Sequence, residues 1–197
     1  MSTLNESGKV PVIETERLRL RGHQPADFPD SLALWSDPVV TRFIGGKSLS
    51  EEEVWARVLR YVGHWAWMGF GYWLIEEKST GRFAGEMGFS DWKRDIRPSL
   101  QGLPELGWVL APRVHGQGYA TEVVRAAIAW GSKYFGSNPT PIGRFPAPPV
   151  VPALSSAHMV CIIDPENTRS IRVAEKCGFQ EVLRTTYHGD STILFAQ

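Results

Sequence analysis

The sequence predicts a mixed α+β (α/β) domain, with a central sheet of about seven strands flanked by about four helices. Three observations carry this. Three strand-like runs follow one another between Tyr72 and Leu110 with no helix between them, which implies antiparallel neighbours. After Leu110 the pattern changes to helix, strand, helix, which implies a parallel crossover. Two further runs then close the chain as a hairpin.

The elements follow in order. Glu16 to Gly22, ERLRLRG, alternates apolar and polar residues like a half-buried strand. HQPADFPDSLALWSD then turns helical, with Leu32, Leu34 and Trp35 on its apolar side. Ser48 to Trp67 reads as a long helix: Ser50 and Glu53 stand in capping-box register, and Val54, Val58, Tyr61 and Val62 recur at helical spacing. Tyr72 to Glu77 and Arg82 to Asp91 read as strands joined by a Lys-Ser-Thr-Gly turn. Glu105 to Leu110 is a further strand and Tyr119 to Phe135 a helix. His158 to Asp164 is again a strand, and NTRSIRVAEKCGF carries a helix that stops at Gly178. The tail turns near His188-Gly189-Asp190.

The bulk properties narrow the function. A chain of 197 residues fits one domain, taken here as 1–197 with a core from about residue 14. Lys plus Arg equals Asp plus Glu at 21 each, and no basic stripe interleaves with aromatics, which argues against nucleic acid. Cys161 and Cys177 form no disulfide framework and no metal-ligand spacing, so no metal is expected. No segment approaches membrane-spanning length and the amino terminus lacks an apolar signal core, so the expected setting is cytoplasmic. The eight tryptophans read first as core filling and second as walls of an acceptor pocket. Six of fourteen prolines crowd into Gly136–Ala157, which reads as an irregular insert between helix and strand. A substrate lid or a dimer-contact arm is the alternative for that insert.

The chemistry concentrates in RVHGQGYATE, Arg113 to Glu122, where Gly116 and Gly118 join a strand to a helix. Helix-start N–H groups lack intrahelical partners and carry the positive end of the dipole. Glycines there let the backbone approach a phosphate or pyrophosphate, with Gly116, Gly118, Ala120 and Thr121 forming the cradle. A plain strand-to-helix turn is the competing reading. Tyr119 after Gly118 excludes a P-loop, and Thr121 breaks the dinucleotide fingerprint.

Arg113-Val-His-Gly116-Gln-Gly118 resembles the Gln/Arg-x-x-Gly-x-Gly/Ala signature of the GNAT superfamily of acyl-CoA-dependent N-acetyltransferases. ELGWVLAP before it and ATEVVRAAIAWG after it resemble that motif's surroundings. DPENTRSIRVAEKCGF resembles the family's next block, with Asn167, Ser170 and Gly178-Phe179 in matching places. ETERLRLR and GRFAGEMGF resemble the RimJ/RimL branch, which acetylates protein amino termini and small amines. The resemblance runs from about Glu14 to the carboxyl end, and the proline-rich insert departs from it.

The resemblance implies a sheet splayed open between the strand ending at Leu110 and the strand at His158 to Ile163, with acetyl-CoA in the gap. Pantetheine would bond to main-chain groups of Trp108, Val109 and Leu110. The pyrophosphate would sit on Arg113, Val114, His115, Gly116, Gln117, Gly118 and the helix start at Tyr119, Ala120 and Thr121. The Val109 N–H is the candidate oxyanion donor, at a point where the family's strand is commonly bulged. Glu105 is the candidate base, directly or through water, and Glu86 its rival. Asn167 caps its helix, contacts the cofactor, or does both. Ser170 is the candidate acid and cofactor contact; many relatives use a tyrosine as acid, and this sequence has none between Asp164 and Phe179. Arg113, Arg125, Arg169 and Arg172 are candidate phosphate contacts, and His115 reads as a loop residue. The expected reaction is direct attack of a primary amine on the acetyl thioester. A CoA-binding regulatory domain without turnover is the alternative. The acceptor stays open, and so does oligomeric state, with a homodimer as one option.

Overall fold

The computed structural model describes residues 10–137, 154 and 157–197. Of the proline-rich insert, residues 138–153 and 155–156 lie outside these. One sheet of eight strands forms the centre: β1 (Ile13–Glu14), β2 (Leu18–Arg21), β3 (Tyr72–Glu77), β4 (Phe83–Ser90), β5 (Glu105–Leu110), β6 (Val160–Ile163), β7 (Gln180–Tyr187) and β8 (Asp190–Ala196), in the order β1-β2-β3-β4-β5-β6-β8-β7. Every neighbouring pair is antiparallel except β5 and β6, which meet in parallel at the single register pair Glu105–Val160. Beyond that pair the two strands part, so the sheet is mixed and splayed.

Among the described residues five α-helices cover it: α1 (Phe28–Ser36), α2 (Pro38–Thr41), α3 (Glu51–Met68), α4 (Tyr119–Ser137) and α5 (Thr168–Lys176). The capping box at α3 is present, with the Ser50 side chain accepting from Glu53 N–H and Glu53 accepting from Ser50 N–H. Val54, Val58 and Tyr61 turn inward from α3, whereas Val62 lies outside.

Alternation along the strands sorts two cores. Trp73, Ile75, Met87, Phe89 and Leu106 face α4 and pack with Val123, Val124 and Ala127. Val109 faces the opposite side and packs with Leu34, Trp35, Val54 and Val58 from α1 and α3. A third cluster, with Ile96, Leu100, Val160 and Leu194, lies by β6 and β8. Burying side chains of this size contributes about 1.5–3 kcal/mol each, which locks the sheet between its helices.

Four expectations are corrected. The expected strand at Glu16 to Gly22 runs only over Leu18–Arg21, and a two-residue strand before it, β1, was not expected; Thr15 turns between them, accepting from and donating to Leu18. The single turn α2, capped by the Asp37 side chain at Val39 N–H, was not expected. The strand at His158 to Asp164 pairs only over Val160–Ile163, since His158 and Met159 both donate to the Gln197 carbonyl. Among the tryptophans Trp35 and Trp73 fill the core, but Trp67 is 87% exposed at the end of α3.

Candidate active site

The parting of β5 from β6 leaves a gap whose floor is β5. Its register against β4 is unbroken from Glu105 to Leu110, and the Ala111 N–H donates to Ala84 just beyond. Alternation therefore turns the main-chain groups of Glu105, Gly107 and Val109 toward β4, and those of Leu106, Trp108 and Leu110 toward the gap. The expected bulge is absent from this register, so the Val109 N–H points into the β4–β5 ladder. The Leu110 carbonyl accepts from His115 Nε2 at 2.9 Å. His115 thus carries its hydrogen on Nε2 and offers Nδ1 to Arg169, 3.5 Å away.

At the end of β5 a short turn, Pro112–Val114, leads into the glycine loop. Gly116 and Gly118 have φ of 78° and 79°, the left-handed region that glycine enters without strain. A Cβ at Gly116 would meet open space. Val114 and His115 N–H groups bond back to Ala111 and Pro112, and Glu122 N–H bonds to Gly118. Among the described residues the N–H groups from Gly116 to Thr121 have no main-chain acceptor. These donors, at the positive end of a 19-residue helix, suit an anion.

Two ion pairs brace this loop from beneath. Arg17 donates to the Gln117 carbonyl at 2.9 Å and pairs with Glu122, which also accepts from Thr15 Oγ1 and Arg17 N–H. Arg113 pairs with Glu77 at 2.8 Å and donates to the Phe83 carbonyl, so its charge is spent on β3 and β4. Tyr119 donates to the same Glu77 carboxylate, which its partners hold below the ordinary range against the opposing effect of burial. Arg125 donates to the Lys176 carbonyl and ties α4 to α5.

Both candidate bases are engaged. Glu105 is gripped by Arg94, with Nε to Oε2 at 2.6 Å and Nη2 to Oε1 at 2.7 Å, and it lines a depression of about 130 Å³ with Ser90, Trp92 and Gln101. Glu86 is fully buried beneath α1, accepting from Ser31 Oγ at 2.6 Å and Trp35 Nε1 at 2.8 Å, with His23 Nε2 at 3.4 Å. Burial pushes the Glu86 carboxyl up, but bonds from His23, Ser31 and Trp35 outweigh it and hold it below the ordinary range. Glu86 is thereby a structural centre, sealed from any acceptor.

Asn167 caps α5, its Oδ1 accepting the Ser170 N–H at 3.1 Å. Cys161 and Cys177 are buried, and burial pushes both thiols up, away from the thiolate a nucleophile needs. Arg17, Arg94 and Tyr72 were missed by sequence reasoning. Their partners lie 105, 11 and 35 positions away respectively, and no local pattern announces them.

The geometry is that of a splayed mixed sheet with an amide-lined glycine loop at the parting of two parallel strands. Residues 17–180 match the acetyltransferase (GNAT) domain family, and the chain belongs to it. It is 31% identical over 168 residues to YkkB of Bacillus subtilis (strain 168), an uncharacterised protein, covering 83% of this chain and 82% of YkkB. An acetyltransferase from Agrobacterium tumefaciens str. C58 shares the fold with a TM-score of 0.72 at 23% identity, over 100% of this chain and 98% of that one. RimL, a ribosomal alpha-N-protein acetyltransferase seen with coenzyme A, shares it with a TM-score of 0.68 at 18% identity, over 95% and 97%. No helix among the described residues is long and apolar enough to cross a membrane.

Proposed function

We propose that the chain, as one domain from 1 to 197, transfers an acetyl group from acetyl-CoA to a primary amine by direct attack. The observation that carries this is the row of unbonded N–H groups from Gly116 to Thr121, set at the mouth of the gap that β5 and β6 leave open. The amides of Gly116 to Thr121, with Gln117, Tyr119 and Ala120, receive the pyrophosphate. Pantetheine runs along β5 as an added strand against Trp108 and Leu110. Asn167 and Ser170, at the start of α5, face it from the other side of the gap.

Acetyl-CoA supplies an activated thioester carbonyl; the protein's part is alignment and charge placement. Glu105 remains the proposed base, acting through water: Arg94 occupies two of its lone-pair sites and a carboxylate has about four. The depression beside it, between Ser90 and Gln101, is the proposed approach for the acceptor. The acceptor class is that of the RimJ/RimL branch, a protein amino terminus or a small amine. The opening ETERLRLR and the phrase GRFAGEMGF support this reading, as does the fold shared with RimL.

Thiol release from acetyl-CoA tests the proposal when followed with a peptide amino terminus, an aminoglycoside, a polyamine and free amino acids. Release that requires one of these amines is expected. Acetyl-CoA binding without amine-dependent release from any of them overturns the transferase reading.

A further inference from the structure

The Tyr72 hydroxyl lies over Gly107, in the middle of β5, so close that a Cβ on Gly107 would collide with it. Glycine at 107 is what lets a β3 side chain reach across β4 to the strand that floors the gap. Gly88, between them in the ladder, is equally needed, because a Cβ there would strike the Gly71 carbonyl and the Tyr72 backbone.

The ring is held firmly. It stacks on Tyr61 with centroids 4.4 Å apart and planes 1° from parallel, and it lies 5.9 Å from Trp92. The Tyr72 carbonyl accepts from Trp65 Nε1 at 2.9 Å. The residue is only 8% exposed, and its hydroxyl has no hydrogen-bond partner among the described residues but is not sealed from solvent. An anchored hydroxyl that reaches open space beside β5 with its hydrogen uncommitted is placed to donate to a ligand. Burial and the nearby Glu105 charge push its phenol well up, so it keeps its hydrogen at any physiological pH.

The Trp108 and Leu110 N–H groups face the gap and lie along the proposed pantetheine path, but Gly107 and Val109 beside them offer none. β5 turns the Val109 and Gly107 N–H groups into its ladder with β4. No main-chain N–H of Gly107 or Val109 is therefore available to the charge that gathers on a thioester oxygen at this level of the strand. We infer that Tyr72 fills this role, donating its hydroxyl hydrogen to the thioester carbonyl oxygen of the bound acyl donor. This rests on the acetyltransferase reading, in which the pantetheine runs from the glycine loop along β5 and ends its thioester near Gly107.

The electron flow closes without further partners. The amine pair forms the C–N bond and the carbonyl π pair moves onto oxygen, where the Tyr72 hydrogen bond strengthens. The π bond then re-forms, the C–S bond breaks, and its pair leaves as the coenzyme A thiolate. The amine proton passes to water in the depression beside Glu105. Tyr72 keeps its proton throughout and acts as a donor, not an acid.

Tyr72→Phe removes one oxygen and leaves the stack on Tyr61 intact. Calorimetric titration of native protein and variant with acetyl-CoA and with free coenzyme A reads the bond without needing an acceptor. The expected result is about fivefold weaker acetyl-CoA binding, coenzyme A binding unchanged, and an unchanged melting temperature. With any amine that the native protein acetylates, kcat falls about 100-fold. Gly107→Ala, whose methyl displaces the hydroxyl, is expected to reproduce the acetyl-CoA defect. If Tyr72→Phe binds both ligands like the native protein and turns over normally, the inference is overturned while the family's activity stands. If native protein binds neither ligand, the acetyltransferase reading falls and this inference with it.

Discussion

The Arg94 guanidinium holds the Glu105 carboxylate in a two-pronged fork, and both side chains are largely shielded from water. Replacing Arg94 by alanine strands a buried negative charge, a loss that costs about 3 kcal/mol or more. Arg94→Leu combined with Glu105→Gln removes both charges and is expected to restore most of that stability. Urea unfolding of the two variants checks this; equal destabilisation by single and double variant would show that the fork is not what holds the loop after β4.

Glu86 makes stability depend on acid. Its folded-state pKa lies below its ordinary value of 4.5, so the unfolded chain takes up the proton more readily. The stabilisation is complete above about 4.5 and is lost as pH falls through the lower, folded-state value. Glu86→Gln keeps only one of the two accepting oxygens, so its amide hydrogens face either the Ser31 hydroxyl or the Trp35 N–H, and it is expected to lose about 1–3 kcal/mol at pH 7. Its stability should then fall less steeply than the native protein's below pH 4.5. Thermal melts between pH 3 and 7 compare the two slopes.

Glu122 gathers Thr15, the Arg17 main chain and the Arg17 guanidinium around one carboxylate at the first turn of α4. Glu122→Ala frees Arg17, which otherwise also holds the Gln117 carbonyl from below. The expected outcome is about 1–2 kcal/mol of lost stability together with weaker acetyl-CoA binding, because the amides of Gly116 to Thr121 lose their fixed aim. Denaturation and calorimetry on the same sample separate the two effects.

What the sequence made legible was local. Ser50 and Glu53 announce α3 by a reciprocal bond three residues long, and Glu105 to Leu110 forms a strand with the expected bounds. His188 and Gly189 turn the terminal hairpin as its composition suggests. The Arg-x-x-Gly-x-Gly spacing likewise reports a loop whose two glycines both need positive φ. The pairings that define the site's electrostatics were not legible, because each joins residues that only the folded chain brings together. Arg113 looks like a phosphate ligand in sequence, but folding brings Glu77 to it first. Glu105 looks like a free base until the loop after β4 returns Arg94. Tyr72 reads as an ordinary strand aromatic until Gly107 is laid beneath its hydroxyl.

The most direct measurement is calorimetric titration of acetyl-CoA into the native protein and into Gly116→Trp. A Cβ at Gly116 meets nothing within 4 Å, so the indole has room on the surface, but the φ of 78° strains any side chain there, so the variant both covers and shifts the amides. The account predicts micromolar binding to the native protein and at least tenfold weaker binding to the variant, with the fold retained by circular dichroism. Equal affinities would contradict a pyrophosphate on this loop, and no binding to the folded native protein would contradict the acetyl-CoA site altogether.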